Sequence, residues 1–397
     1  MTIPVAIIGA AGLPVGRHQA RKGETPQALE HELLAEVVID AVAGAGIGKD
    51  MIDALVFAIP RAYTQQLYYC TFIANFLRLA VDGIVGEVQG NGMTGGLAFD
   101  QAAMMIASGR AKVALALGSS FETAVDSAEH MNRSMRATGD IDFHTPFGFT
   151  PIAWYAMDAM RYLHDSGASR ADLASVAVKN RRHAGLNPLA QYRDPITLAD
   201  VLAQRPIVAP LGLYEVPPRS DGAVCLVLAR ADLAKDLGRP HAIVKGRGFH
   251  HEGAHQINER PSDMTAFQAC RRAGQAALGE AGLAAADMDL AELYAPCTIV
   301  EVLAAEALGL VPRGRGAFAS RDGETALGGR IPICTSGGCL SRGHPPMVTP
   351  LYGYLEIFEQ LTGRAGARQV ADAEHAIASC ELGNYNAAMI HVFEGRA

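Results

Sequence analysis

Short, continuously apolar runs separated by longer stretches of helical spacing constrain this 397-residue chain more than any other feature. Val5–Ile8, Ala54–Phe57, Ala111–Leu117 and Ala223–Leu228 are too short for core helices and too unbroken for strands with one wet face. Between the first two lies Thr25–Ala43, whose apolar residues recur at helical spacing. A strand apolar on both faces needs cover on both sides, so the alternation predicts an α/β protein with largely parallel, buried strands. A second start, Ala242-Ile243-Val244-Lys245-Gly246, is followed by another helical stretch from Met264 to Ala281. The chain therefore divides into two related halves, 1–237 and 238–397. A charged, aromatic-containing insert at about 121–205 interrupts the first half. Insertions of that length into a compact domain usually serve binding.

Composition narrows the function classes. With 49% hydrophobic and 19% charged residues, the chain is globular and long enough for two sizeable cores. Its net charge of −7 offers no basic field, so nucleic acid is not an expected partner. Seven cysteines without CxxC pairing fit reduced thiols in a cytoplasm rather than a disulfide framework. The N-terminal Thr2-Ile3-Pro4-Val5-Ala6-Ile7-Ile8-Gly9 lacks a basic leader and reads as a first strand. No apolar run reaches membrane-spanning length.

Several motifs recur in a fixed order. Gly92-Met93-Thr94-Gly95-Gly96-Leu97-Ala98 opens a turn and a helix that continues through Ala102, Ala103 and Ile106 to Gly109. Small residues at helical spacing let such a helix sit in a crowded core. Val176-Ala177-Val178-Lys179-Asn180-Arg181-Arg182-His183-Ala184 follows with Asn187-Pro188, then Pro210-Leu211 and Ser220-Asp221-Gly222-Ala223. Last come Ser336-Gly337-Gly338 and Gly343-His344-Pro345. Taken together, these fragments resemble the thiolase superfamily over nearly the full length, closest to its bacterial lipid-transfer-protein or sterol-carrier-protein-thiolase branch. The resemblance implies the thiolase fold, with two βαβαβαββ-type halves in a five-layer α-β-α-β-α arrangement, a loop-domain insert and a homodimer.

Against that family pattern, one missing residue says most about function. Gly92 stands where a thiolase carries its nucleophilic cysteine. The family's His-Asp-Cys-Phe or Asn-Glu-Ala-Phe loop is replaced by Tyr294-Ala295-Pro296-Cys297. Gly343-His344-Pro345 survives, but Met347-Val348-Thr349-Pro350 replaces the usual Gly-Ala-Thr-Gly, and the last loop reads Cys380-Glu381-Leu382-Gly383. Thiolysis needs a thiolate to hold the departing acyl group. Retro-aldol cleavage of a β-hydroxyacyl-CoA does not; it needs a base for the hydroxyl, donors for the thioester enolate and an acid for the new carbanion. Tyr294 is the expected base, His344 the donor to the thioester oxygen and Cys380 the acid, with the backbone amides of Gly92 and Gly383 as oxyanion donors. The resemblance implies the same chemistry, because thiolase-like proteins with this tyrosine and without the cysteine include retro-aldolases of steroid side-chain degradation. Those act with a small zinc-ribbon/OB-fold subunit, so a heterotetramer is the implied assembly, and coenzyme A enters as part of the substrate rather than as a bound cofactor. An acyltransferase using Cys297, Cys339 or Cys380, and a non-catalytic acyl-CoA-binding subunit, remain as alternatives. A steroid, aromatic or aliphatic acyl chain is equally compatible with the sequence.

The remaining motifs carry less. Lys179, Arg181 and Arg182 form a basic cluster that could meet the phosphates of coenzyme A. Cys297, Cys334 and Cys339 lie near the same loops, yet their spacing does not mark a relocated nucleophile. His251-Glu252-Gly253-Ala254-His255 matches HExxH, but it follows a strand in a loop-like stretch where the imidazoles would not share a helix face, so no metal is expected. Gly9-Ala10-Ala11-Gly12 lacks GxGxxG spacing and predicts a core turn rather than a nucleotide loop.

Overall fold

The computed structural model describes residues 3–19, 28–59, 66–79, 83–131, 140–252, 263–383 and 385–396. From the first half come β1 (Val5–Gly12), β2 (Ala54–Ala58), β3 (Val85–Val88), β4 (Val113–Ser120) and β7 (Gly222–Arg230), with β5 (Pro206–Val208) and β6 (Leu211–Gly212) as a separate ladder. The second half supplies β8 (His241–His251), β9 (Leu290–Glu292), β10 (His375–Glu381) and β11 (Ala387–Arg396). Nine of these strands form one mixed sheet in the order β3-β2-β4-β7-β1-β8-β11-β10-β9. The halves meet where β1 and β8 pair through only Ala6↔Ile243 and Ile7↔Ala242.

The expectation of largely parallel strands is corrected. Parallel pairing is confined to β2–β3, β2–β4 and β9–β10, while β1, β7, β8 and β11 run antiparallel to their neighbours. Apolar runs reported burial on both faces, and here helices cover both faces regardless of strand direction. In β4, Val113, Leu115 and Leu117 face an outer cluster under the helices Glu30–Ala45 and Tyr69–Phe76, whereas Ala114 and Ala116 face inward. In β10, Ala376 and Ala378 face that same inner layer, while Ile377 points to a second outer cluster built on the helices Gln268–Ala281 and Thr298–Ala307. The inner layer is the helix pair Thr94–Ala107 and Thr349–Leu361, which packs against strands of both halves. The result is five layers, helix–sheet–helix–sheet–helix. Ala98, Ala102 and Ala103 are fully buried there, since only small side chains let a helix lie between the two arms of the one nine-stranded sheet.

Within the 121–205 segment, the helices Pro151–Ser166 and Arg170–Gly185 place Tyr155, Ala159, Leu173 and Val176 in the core cluster that holds Ile299 and Leu303. The second of these helices starts on a capping box: Ser169 Oγ accepts from the Asp172 amide at 3.2 Å, and the Asp172 carboxylate accepts from the Ser169 amide at 2.8 Å. No helix among the described residues is long and apolar enough to cross a membrane.

Gly9-Ala10-Ala11-Gly12 is the end of strand β1, not a turn, and it bulges between Ile7 and Gly9. A Cβ on Gly9 would overlap the Ala41 carbonyl oxygen and lie 2.7 Å from Ala45 Cβ, so the glycine lets the helix Glu30–Ala45 rest directly on the strand. Gly9→Val is therefore expected to lower stability by about 1–3 kcal/mol, the usual penalty of overpacking. Denaturant unfolding measures it, and an unchanged midpoint would show that the helix yields freely.

Candidate active site

Two loops carry the chemistry, and one buried network roots both. Tyr294 follows Glu292 at the end of β9, and His344 follows Arg342 by the same two residues. Arg342 Nη1 lies 3.6 Å from Glu292 Oε2 and donates to Ser336 Oγ at 3.0 Å, with Arg342 and Glu292 both buried. Glu292 also accepts from the Ser336 amide at 3.0 Å and from Ser336 Oγ at 2.8 Å. Burial and the neighbouring Glu356 carboxylate push the Glu292 carboxyl up, and Arg342 pulls it back. Gly343, at φ +112°, makes the turn between Arg342 and His344, and a Cβ there would lie 2.9 Å from Gln191 Oε1 and 3.0 Å from Ser220 Oγ. That Ser220 hydroxyl accepts from the His344 amide at 3.0 Å and donates to Gln191 Oε1 at 2.5 Å. Asp221 beside it accepts from the amides of Glu122 and Thr123, both at 2.8 Å, and so staples the next wall of the site.

These loops bring Tyr294 and His344 together: the phenol oxygen lies 2.9 Å from His344 Nε2. Both line a cavity of about 240 Å³ together with Gly92, Gly383, Glu381 and Tyr155. Gly92 sits in a short 3₁₀ turn, Asn91–Met93, that leads into the inner helix. A Cβ at residue 92 would stand 2.8 Å from the Tyr294 hydroxyl oxygen and 2.8 Å from the Glu381 carbonyl oxygen. The tyrosine thus occupies the space that any side chain at 92 would need.

One residue expected in the chemistry is placed elsewhere. Cys380 does not line the cavity; its Sγ is buried 3.8 Å from the Tyr354 hydroxyl and 3.5 Å from the Met389 carbonyl oxygen, packed against Gly96, and burial pushes the thiol up to about 12. Successive residues of a strand point to opposite faces, so it is Glu381 that faces the cavity. Its Oε1 accepts from the Tyr155 hydroxyl at 3.2 Å and its Oε2 from the Tyr385 amide at 3.1 Å. Burial pushes this carboxyl up to about 7 against the pull of the Tyr385 amide, the Tyr155 hydroxyl and the Gly383 amide. Gly383 lines the cavity beside Glu381. Glu381 is the residue that sequence reasoning passed over, and the strand pleat was the signal that could have found it.

Two of the three residues of the basic cluster, Lys179 and Arg181, turn to internal partners rather than to an exposed anion site. Lys179 is buried, paired with Glu301, and donates to the Ile333 carbonyl oxygen at 2.8 Å, while Asn180 donates to the same Glu301 at 2.8 Å. Arg181 is buried too, donating to Ser341 Oγ at 3.1 Å and lying over the rings of Tyr192 and Tyr214. His183 accepts from the Leu327 amide at 2.9 Å and faces the Cys334 carbonyl oxygen at 2.9 Å, and burial pushes it down to about 3. Arg182 alone of this group is exposed, and none of them lines the cavity. Among the cysteines, Cys297 does line it, but burial raises its thiol well above the ordinary value, and Cys339 rises to about 12 for the same reason. His251 ends strand β8 rather than starting a helix, and Gly253 to His255 lie outside the described residues. No cluster among the described residues has the makings of a metal site. Glu122, His130 and Arg219 also line the cavity, contributed by distant segments that no local motif marks.

Comparison with known proteins agrees with this architecture. Residues 5–205 match the thiolase N-terminal domain, and residues 250–395 match the thiolase C-terminal domain-like family. The chain belongs to the thiolase superfamily, in its sterol-carrier-protein-2-like branch. An acetyl-CoA acetyltransferase of Methanothermobacter thermautotrophicus is 30% identical over 381 residues, 96% of this chain and 98% of its own. A steroid side-chain-cleaving aldolase of Thermomonospora curvata is 32% identical over 79% of this chain and 82% of its own. Among solved structures, the Ltp2-ChsH2(DUF35) aldolase superposes with a TM-score of 0.81 at 28% identity, covering 98% of this chain and 97% of that one. The protein is accordingly a thiolase-like enzyme of acyl-CoA.

The Lys179–Glu301 pair makes a structural prediction. Lys179→Met leaves Glu301 buried without its cation and is expected to cost about 3–5 kcal/mol. Thermal or denaturant melting reads the loss, and a stability within about 1 kcal/mol of the parent, the usual effect of a single substitution, would return Lys179 to the ligand contacts.

Proposed function

We propose that this enzyme catalyses retro-aldol cleavage of a β-hydroxyacyl-CoA, releasing an aldehyde or ketone and a shorter acyl-CoA. The observation that carries the reading is the Tyr294 hydroxyl, hydrogen-bonded to His344 and filling the space of the absent residue-92 side chain. With Gly92 in place of a nucleophile, no acyl group can be held covalently at that position. A hydroxyl proton passes instead to Tyr294, with His344 Nε2 within hydrogen-bond reach to share it. The Cα–Cβ bond then breaks, the β-carbon becomes a carbonyl, and the electron pair moves into the thioester enolate. The inner helix begins at Thr94, just past the turn that holds Gly92, so its N-terminal backbone dipole favours that negative charge. The aldolase relatives support this reading by their similarity across most of the chain. Coenzyme A is part of the substrate. A homodimer joined by a zinc-ribbon/OB-fold subunit is the assembly we infer, by analogy with the Ltp2-ChsH2(DUF35) aldolase, whose name pairs two components.

A second reading, acyl transfer through Cys297, draws on the acetyltransferase relative and on the thiol's place in the cavity wall. Against it stands the burial that keeps this thiol protonated.

Mass spectrometry of products from β-hydroxyacyl-CoA and β-ketoacyl-CoA substrates, with and without the accessory subunit, separates the two readings. Aldehyde or ketone from the hydroxy substrate alone supports the aldolase, and CoA-dependent cleavage of the keto substrate refutes it. Tyr294→Phe is expected to slow cleavage by about 10²–10⁴-fold, the usual worth of a general base. Gly92→Cys should yield no thiolysis, because its Cβ has no room beside the Tyr294 hydroxyl; robust thiolysis would show that the tyrosine moves aside.

A further inference from the structure

Retro-aldol cleavage leaves a carbanion that must be protonated, and the thiol expected to do so lies outside the cavity. We propose that the carboxylic acid of Glu381 delivers this proton to the α-carbon of the departing acyl-CoA, an inference that rests on the aldolase reading above. Glu381 shares the cavity with Tyr294 and His344, and its backbone carbonyl and the Tyr294 hydroxyl both border the space beside Gly92. Much of the surrounding wall is apolar, including Ile152, Pro296 and Leu382.

The environment of this carboxyl is unusual. It is 2% exposed, and among the described residues no lysine, arginine or histidine pairs with it. Burying a carboxyl without a cation costs stability, and such arrangements cluster where a proton must be held near neutral pH. Its hydrogen bonds fix its position without supplying a counter-charge: the Tyr155 hydroxyl on one oxygen and the Tyr385 amide on the other. Tyr385 also ties the acid to the base. Its amide holds Glu381 while its hydroxyl donates to the Tyr294 carbonyl oxygen at 3.0 Å, and its ring stacks on Phe267 at 4.5 Å. Both chemical groups are thus positioned from one buried residue.

Proton and electron balance follow directly. The β-hydroxyl proton goes to the Tyr294–His344 pair, the Cα–Cβ electron pair becomes the enolate, and the Glu381 O–H proton forms the new Cα–H bond. The cycle ends with Glu381 ionised and the Tyr294–His344 pair carrying one extra proton, which solvent exchange returns to the carboxyl. The titratable groups that face Glu381 are Tyr155, Tyr385 and the thiols of Cys270, Cys297, Cys339 and Cys380. Burial raises those thiols, so they stay neutral around pH 7 while the carboxyl changes charge.

The test uses the reverse half-reaction, which needs no knowledge of the acyl chain. Acetyl-CoA and propionyl-CoA are incubated with the enzyme in deuterium oxide, with the accessory subunit where it is required for activity, and α-deuteration is followed by mass spectrometry. Removing an α-proton requires ionised Glu381, so exchange should rise as pH increases through about 7. Cleavage of a β-hydroxyacyl-CoA requires the protonated acid and should fall over the same range. Glu381→Gln keeps an acceptor oxygen for the Tyr385 amide and turns its NH₂ toward the Tyr155 hydroxyl, which can rotate to accept it, and should lose both reactions by about 10²–10⁴-fold, with Glu381→Asp partly restoring exchange. Tyr294→Phe should lose cleavage while keeping exchange, and Cys380→Ala should keep both. Exchange that survives Glu381→Gln in a folded enzyme, or that disappears with Cys380→Ala, overturns the proposal and leaves the aldolase reading standing. Glu381-dependent exchange without cleavage of any hydroxyacyl-CoA refutes the aldolase reading and upholds Glu381 as the α-carbon acid–base. Absence of both reactions in the parent enzyme overturns both.

Discussion

The buried contact between Glu292 and Arg342 is the constraint on which the site depends. Each residue lies two positions before a chemistry-bearing side chain, so the ion pair fixes the roots of the Tyr294 and His344 loops against one another. Taking two charges out of water is costly, and the attraction repays it only when the remaining polar atoms are also satisfied. Ser336 does part of that through its amide and hydroxyl, and nearby Thr335 and Arg368 bind Glu356, the second carboxylate of the same network. The gain is geometric: two loops 50 residues apart in sequence present their functional atoms at 2.9 Å.

Gly92 and Tyr294 form the second constraint. They compete for one volume, since a Cβ at residue 92 would press on the phenol oxygen. A nucleophile at the end of the inner helix and a tyrosine on the second loop are therefore mutually exclusive unless the tyrosine swings away. The absence noticed in sequence and the unexpected residue noticed 202 positions later are one steric fact. The same close packing recurs around Gly96, which makes room for Cys380 and so turns that thiol into core.

Much of the fold was legible because apolar continuity reports burial. The strand starts near Val5, Ala54, Ala111, Ala223 and Ala242 all fall in or beside observed strands. Strand direction was not legible, because a run apolar on both faces looks the same in a parallel and an antiparallel neighbourhood. The site was legible where a loop carried its own chemistry, as with Tyr294 and His344. It was misread at Cys380 and Glu381, where adjacent residues of one strand face opposite ways. It was misread again at Lys179 and Arg181, whose charges serve Glu301 and Ser341 rather than an exposed anion site.

By itself the sequence determined the α/β class, the two starts, the family motifs and the missing nucleophile, because each depends on local spacing or on the identity of one residue. Tertiary structure decided which side chains share a cavity. Glu122, Tyr155, Arg219, Tyr294, His344 and Glu381 come from segments scattered across the chain, and only the packing of the two halves and the 121–205 segment brings them to one wall. It also decided protonation, since burial lifts the Glu381 carboxyl toward neutrality and keeps the thiols of Cys297, Cys339 and Cys380 neutral. Desolvation depends on every neighbour of a group, and those neighbours are a property of the folded chain.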